Sequence, residues 1–136
     1  MKTFEELDFN KEVLYTKTHE WTKKTGSTVR IGVDDYAQSA LGDIVYVELP
    51  SVGGSVNAGA AFGSLESTKA VSDLNSPVSG KITAVNDALS DAPELVNSSP
   101  YGDGWMIEVE ITDEAELNAL MKHDAYAEFV KTLDAH

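Results

Sequence analysis

The sequence predicts a mainly β protein, a barrel or sandwich with helices appended at its C-terminal end. Short segments of alternating or β-branched residues recur up to residue 111, with Gly and Pro turns between them. Such spacing favours antiparallel β architecture over a sheet with crossover helices. After residue 112 the apolar pattern changes to helical spacing. A length of 136 residues fits one domain, so we expect a single domain over 1–136, with a core at about 14–112 and a helical segment at about 113–135.

The predicted elements are six strands, a helical turn and a short helix in the first 111 residues. The strands, each rich in β-branched or alternating apolar residues, are 28–33, 43–49, 62–66, 70–74, 81–85 and 105–111. Thr3 and Glu6 have capping-box spacing, which predicts one turn of helix near the N-terminus. Residues 34–42 predict the short helix, with Asp34 or Asp35 as N-cap and Gly42 as its end.

The C-terminal segment predicts two helical stretches. Asp113 and Glu116 have capping-box spacing, and an apolar stripe follows at Leu117, Leu120 and Met121. A second helix is predicted to start near Asp124. Its apolar residues at helical spacing are Tyr126, Phe129, Val130 and Leu133. We expect these side chains to pack against the core and not to bind a ligand.

Composition excludes several classes of function. The absence of cysteine excludes disulfides and a thiolate nucleophile. A net charge of −13 argues against binding to nucleic acid or to an anionic membrane. The charge is compatible with electrostatic steering toward basic partner proteins, and the alternative is that it only keeps the protein soluble. No apolar run approaches the roughly 20 residues that span a bilayer. His19, His123 and His136 are too scattered to predict a metal site.

The first residues bear on the localisation of the protein. They include the acids Glu5 and Glu6, and secretory and mitochondrial presequences avoid acidic residues. We therefore expect a cytoplasmic bacterial protein, or a mitochondrial matrix protein from which a presequence has been removed.

Lys69 stands out because its surroundings predict a tight hairpin with the lysine at the bend. An exposed, protonated ammonium group is a poor nucleophile, so a catalytic role is not indicated. The same position suits a covalent tether, because an amide on the lysine removes its charge and extends a long arm into solvent. The alternative is an ordinary surface lysine.

Glu66-Ser67-Thr68-Lys69-Ala70 resembles the lipoyl-attachment motif. The blocks around it resemble the glycine cleavage system H protein family. These blocks follow the family's order and cover nearly the whole chain from about residue 14; they are 15–21, 41–50, 76–80, 93–97 and 100–105. Thr68 departs mildly from the pattern, since many members of the family have Val there.

The resemblance implies a lipoyl-type barrel-sandwich hybrid that carries lipoate in amide linkage on Lys69. Such a protein is not an enzyme. It shuttles the aminomethyl group of glycine from a pyridoxal-phosphate glycine decarboxylase to a tetrahydrofolate-dependent aminomethyltransferase, and dihydrolipoamide dehydrogenase reoxidises the arm. The demanding chemistry belongs to cofactors. Lipoylating enzymes are implied as further partners.

The resemblance also implies roles for residues near the arm. Glu20 and Asp73 match the family's carboxylates that hold the cationic cargo, and Thr18 matches a position that is sometimes Ser. Three residues around the lysine are implied to be recognised during modification: Glu66, Ser67 and Ala70. Three of these residues have a plainer interpretation: Glu20 as a surface acid, Asp73 as a solvating residue of the hairpin edge, and Glu66 as a flank of the turn. His19 is expected to be structural.

Three alternatives remain open at this point. A biotinyl domain shares the fold, but methionines normally flank its lysine, and Ser67-Thr68-Lys69-Ala70 has none. A stand-alone hydrolase would use Glu20 and Asp73 as a carboxylate pair. A lipoyl donor for other complexes would use the same Lys69 as a glycine cleavage carrier.

Overall fold

The computed structural model describes residues 2–134, with only the backbone of Asp134. Its nine strands are β1 (Leu14–Tyr15), β2 (Glu20–Thr25), β3 (Thr28–Val33), β4 (Ile44–Glu48), β5 (Ser55–Val56), β6 (Ala61–Ser67), β7 (Val71–Asn75), β8 (Gly80–Val85) and β9 (Ile107–Ile111). Its helices are α1 (Asp35–Leu41), α2 (Ala88–Asp91), α3 (Leu95–Ser98) and α4 (His123–Asp134), with 3-10 turns at Phe4–Glu6 and Glu114–Ala119.

The strands form two antiparallel sheets. The larger sheet has the order β1-β2-β3-β9-β8-β5, and the smaller has the order β4-β6-β7. Their inner faces enclose the main apolar core, to which β3, β6, β8 and β9 each contribute buried residues. The sheets do not close into a continuous barrel, so the arrangement is a barrel-sandwich fold, as the sequence predicts.

A second apolar cluster attaches the C-terminal helix to the larger sheet. Its buried members are Val13, Tyr15, Trp21, Tyr126 and Val130. Tyr15 and Tyr126 stack with ring centroids 4.3 Å apart and planes at 2°. The expected packing of the α4 aromatics is therefore confirmed for Tyr126, whose ring is fully buried.

The six predicted strands are all present, with ends within two residues of those expected. The capping box of Thr3 and Glu6 is formed. Asp34 caps α1 by accepting from the Ala37 amide at 2.8 Å, and Gly42 ends the helix at φ 79°. Strands β1, β2 and β5 and the short helices α2 and α3 were not predicted from the sequence.

The predicted capping box at Asp113 is wrong in its second half. The Asp113 carboxylate does accept from the Ala115 amide at 3.0 Å. The Glu116 carboxylate accepts instead from the backbone N–H and the hydroxyl of Ser79, at 2.7 and 2.8 Å. These bonds tie the 3-10 turn to the loop before β8, a tertiary contact that local spacing does not reveal.

Candidate functional site

The β6–β7 hairpin places Lys69 at its bend, as predicted. Strands β6 and β7 pair up to Glu66 and Val71, and the Ser67 amide closes the turn on the Ala70 carbonyl at 2.8 Å. The lysine is exposed. Within residues 2–134, no hydrogen bond or ion pair engages its Nζ, so the amino group is available for modification.

Ser67 holds this turn from inside. Its buried Oγ accepts from the amides of Lys69 and Ala70, each at 3.1 Å, and donates to the Ala70 carbonyl at 3.2 Å. A single hydroxyl thus satisfies two backbone amides that the bend leaves without strand partners, and it adds a second bond to the Ala70 carbonyl. Glu66, just before Ser67, and Ala70, just after Lys69, are exposed.

Gly42 leaves room for the stem of Lys69. A Cβ built on this glycine would lie 3.3 Å from Cε of Lys69 and 3.9 Å from its Nζ. The Thr68 amide donates to the Asp43 carbonyl at 3.1 Å, which fixes the hairpin against the end of α1. The helix end at Gly42 was predicted from the sequence, but no sequence pattern indicated this second contact.

Glu20 is buried, with 1% of its surface exposed, so its interpretation as a surface acid is wrong. Its Oε1 accepts from the Thr16 hydroxyl at 2.8 Å and from the Thr18 hydroxyl. Its Oε2 accepts from the Asn75 amide at 3.2 Å. Burial raises the pKa of Glu20, against the opposing effect of these hydrogen bonds. The structure therefore brings Thr18 and Glu20 together at the end of β7.

Asp73 lies between Lys69 and that end. It is exposed on β7, opposite Ser64 of β6, and within residues 2–134 its carboxylate has no hydrogen bond or ion pair. At about 3.3 Å per residue, β7 carries Asp73 about 7 Å and Asn75 about 13 Å from Val71, where the strand begins after the bend. Lys69, Asp73 and the Glu20 carboxylate are thus reached in turn along the hairpin, and no hydrogen bond or ion pair joins these three in the described part of the chain.

A buried polar chain next to Glu20 was not predicted. The Tyr126 hydroxyl donates to the Asp34 carboxylate and lies 2.6 Å from Nδ1 of His19. Burial raises the pKa of Asp34 to about 7 and lowers the pKa of His19 to about 4. Burial also raises the pKa of Tyr126. These residues are far apart in sequence, so spacing offered no signal for the chain, although the structural role expected for His19 agrees with it.

The described residues contain neither a cluster of metal ligands nor a helix of membrane-spanning length and hydropathy. Residues 2–134 contain no group of three His, Asp or Glu side chains that could hold a metal ion; the third histidine of the sequence analysis, His136, lies outside the described residues. None of the described helices is long and apolar enough to cross a membrane.

Comparison with known proteins identifies the family. The model of the glycine cleavage H-protein family matches residues 13–133. The chain belongs to this family. The glycine cleavage system H protein of Anaeromyxobacter sp. (strain K) is 51% identical over 125 residues, which cover 92% of this chain and 98% of that relative. Glycine cleavage system H protein 2, mitochondrial, from Arabidopsis thaliana is 52% identical over 125 residues, or 92% of this chain and 80% of that relative.

A solved structure agrees with this result. The crystal structure of a glycine cleavage system H protein from Mycobacterium marinum matches with a TM-score of 0.83 and 40% identity, covering 90% of this chain and 98% of that one. Membership of the H-protein family confirms the expected non-catalytic, lipoyl-carrying role in the glycine cleavage system. The enzymes of that system are its partners.

Proposed function

We propose that this H protein carries its lipoyl group in amide linkage on Lys69. The observation that supports this most directly is the position of Lys69, exposed at the bend of the β6–β7 hairpin with an unengaged Nζ. The turn is rigid because the buried Ser67 hydroxyl holds it. A rigid turn presents the amine in one place to a modifying enzyme and lowers the entropy lost on docking.

The residues fit a tethered group. The Lys69 stem lies over Gly42, where no side chain stands in its way, and β7 provides a straight path toward Asp73 and Glu20. When attached, lipoate supplies the sulfur atoms that a chain without cysteine lacks. We propose that Glu66 and Ala70, exposed beside the lysine, contact the lipoylating enzyme directly, and that Ser67 acts by shaping the turn.

We propose further that Asp73, and beyond it Glu20 with Thr18, provide negative charge for a cationic amine brought along β7. Asp73 is exposed and unpaired in the described part of the chain, so it is ready to meet a cation. Glu20 is already held by Thr16, Thr18 and the Asn75 amide. A cation at Glu20 therefore has to approach from the Asn75 side or displace one of these donors.

The partners we propose are those that the glycine cleavage reaction requires. They are a pyridoxal-phosphate glycine decarboxylase, a tetrahydrofolate-dependent aminomethyltransferase, dihydrolipoamide dehydrogenase and a lipoylating enzyme. The net charge of −13 favours basic docking surfaces on them. Residues 1–136 form one carrier domain in this proposal, with α4 as a part of it.

The attachment site is tested by intact mass after co-expression with a lipoylating enzyme. Wild type should gain one lipoyl group, and Lys69→Ala should gain none. Lys81→Ala is the matched control, because Lys81 is likewise exposed but lies on strand β8 and not at a bend, and it should be modified like wild type. An adduct on Lys69→Ala, or none on wild type, would refute attachment at Lys69. A biotin adduct would support the alternative carrier.

The path of the arm is tested separately by NMR. Backbone amide signals of lipoylated and unmodified protein are compared, with Lys69→Ala treated identically as the control. Lipoylation should shift the signals of Asp73 and Asn75 and leave those of β9, in the other sheet, in place. Unchanged signals along β7 would remove Asp73 and Glu20 from the proposal while leaving attachment at Lys69 intact.

A further inference from the structure

The backbone at His19 has an unusual conformation. Of the non-glycine residues between 2 and 134, only His19 has φ in the left-handed region, at 75°. This conformation is unfavourable for a residue with a Cβ, and it persists where the surroundings determine it. The contacts that hold His19 are therefore informative.

The turn that contains His19 determines where the Glu20 carboxylate lies. The His19 amide donates to the Thr16 carbonyl at 3.2 Å, and the Thr16 amide donates to the Glu20 carbonyl at 2.9 Å. The hydroxyls of Thr16 and Thr18, both in this turn, donate to the Glu20 carboxylate. A change in the turn would thus move two of the three side-chain and backbone groups that bind Glu20.

Helix α4 and the start of α1 hold His19 from both sides. On the ring side, Nδ1 of His19 lies 2.6 Å from the Tyr126 hydroxyl, and the ring contacts Tyr36 with centroids 4.5 Å apart. On the backbone side, the Asp34 amide donates to the His19 carbonyl at 3.1 Å. The Asp34 carboxylate accepts from Tyr126 and caps α1. Hydrogen bonds therefore connect His19, Tyr126 and Asp34 to one another.

We propose that Tyr126 and His19 are positioning residues, through which the C-terminal helix orients the Glu20 carboxylate at the end of β7. The inference rests on the proposed role of Glu20 and extends the site to α4. Tyr126 touches neither Glu20 nor Lys69 in the hydrogen-bond network. It acts through the His19 ring, the turn and the two threonine hydroxyls.

The proton arrangement gives the proposal a spectroscopic signature. The Tyr126 hydroxyl donates to Asp34, so the bond between Tyr126 and His19 requires Nδ1–H as the donor. Burial lowers the pKa of His19 to about 4, and the ring is therefore neutral at pH 7. Its ¹⁵N chemical shifts should show a proton on Nδ1 and none on Nε2.

The first experiment compares Tyr126→Phe with Tyr15→Phe in the unmodified full chain. The two rings stack on each other, and both are fully buried, but the Tyr15 hydroxyl reaches Asn10 and Tyr101 and not His19. The readouts are solvent exchange of the Asn75 amide, which donates to Glu20, and the ¹⁵N shifts of His19.

Tyr126→Phe should accelerate solvent exchange of the Asn75 amide roughly fivefold, the factor that corresponds to the free energy of one hydrogen bond. It should also remove the preference of His19 for a proton on Nδ1. Tyr15→Phe should leave both readouts as in wild type. Equal acceleration in both variants would mean a general loss of stability, and no change in Tyr126→Phe would mean that α4 does not position Glu20. Either result overturns the proposal.

A second pair of variants separates the contribution of the His19 backbone conformation from that of its ring. Glycine adopts φ 75° freely and alanine does not, so His19→Gly should keep Asn75 protected better than His19→Ala. Adding Tyr126→Phe to His19→Gly should have no further effect on Asn75, because the ring that links them is gone. Additive effects would overturn the proposed route through His19.

Lipoylation is measured by intact mass on the same variants, and each should be modified at Lys69 like wild type. This measurement tests the proposed attachment alone. Failure of wild type to be lipoylated would refute the proposed function without affecting the Asn75 results. Altered Asn75 exchange cannot arise from the arm, since the exchange is measured on unmodified protein.

Discussion

Asp34→Asn is expected to stabilise the protein progressively, relative to wild type, as the pH rises from 4 to 8. The Asp34 side chain has no exposed surface. One carboxylate oxygen caps α1 through the Ala37 amide, and the other accepts from Tyr126. The amide of the substituted side chain keeps its oxygen for the cap and turns its NH₂ to the Tyr126 oxygen. The Tyr126 hydroxyl then donates to Nδ1 of His19, which takes its other neutral tautomer, so the hydroxyl keeps an acceptor.

The magnitude follows from the pKa of Asp34. Burial raises it from 3.8 to about 7, against the lowering effect of the Tyr126 and Ala37 hydrogen bonds. Between these pH values the folded state holds a proton that the unfolded state has lost, so wild-type stability falls as the pH rises through the window. About three pH units at about 1.4 kcal/mol each give about 4 kcal/mol. The variant has no such proton, and its advantage should grow by that amount.

His19 has the opposite dependence. Burial lowers its pKa from 6.5 to about 4, so the unfolded state binds more protons between these values and stability rises with pH. In wild type this rise opposes the fall caused by Asp34. In Asp34→Asn the Asp34 contribution is gone, while Glu20, whose pKa burial also raises, still opposes the His19 rise. Between pH 4 and 6.5 the stability of the variant should therefore change more favourably with pH than that of wild type.

The assay is urea unfolding at pH 4.5, 6 and 8, followed by tryptophan fluorescence and linear extrapolation. Asp35→Asn is the control of opposite sign. Burial raises the pKa of Asp35, but hydrogen bonds from Lys2 and the Asp8 amide outweigh it and leave the pKa lowered. That variant should therefore lose most at high pH. A free-energy difference between wild type and Asp34→Asn that is constant across the three pH values would refute the reasoning.

Three further predictions concern the hairpin and its supports. Gly63→Ala would place a Cβ 2.2 Å from the Glu48 carbonyl oxygen, and we expect a loss of about 3 kcal/mol or more in urea unfolding; a loss under about 1 kcal/mol would show that β4 can move aside. Ser67→Ala leaves the turn amides without their acceptor and should slow lipoylation roughly tenfold in a timed mass assay, whereas an unchanged rate would mean that the turn forms without it. Glu116→Ala removes both bonds from Ser79 and should cost about 2 kcal/mol in the same unfolding assay; equal stability would assign the contact no energetic role.

The sequence was sufficient for features that local rules determine. The strands follow from β-branched alternation, and the α1 ends follow from Asp34 and Gly42, whose capping depends on immediate neighbours. The bend at Lys69 follows from the two flanking strand patterns. The very short β1 and β5 have two residues each, too few for periodicity to register.

Tertiary pairings are the part that spacing could not provide. Tyr126 donates to Asp34 across 92 residues of sequence, and His19 meets Tyr126 across 107. Glu116 has the spacing of a capping box, yet its carboxylate binds the backbone N–H and hydroxyl of Ser79, in the loop between β7 and β8. Glu20 has the neighbours of a surface residue in sequence, and only the fold buries it.

The geometry of β7 connects these points to the carrier role. A strand within a sheet is a stiff element with a fixed rise per residue, so the separation between Lys69 and the Glu20 carboxylate, bound at Asn75, is set by β7 and not by a mobile loop. The lysine end is fixed by Ser67 and the Glu20 end by the turn at His19. The reach of any group on Lys69 can then be matched to a constant distance. The C-terminal helix sets one end of that distance through Tyr126, which makes α4 a part of the site and not an appendage to the β core.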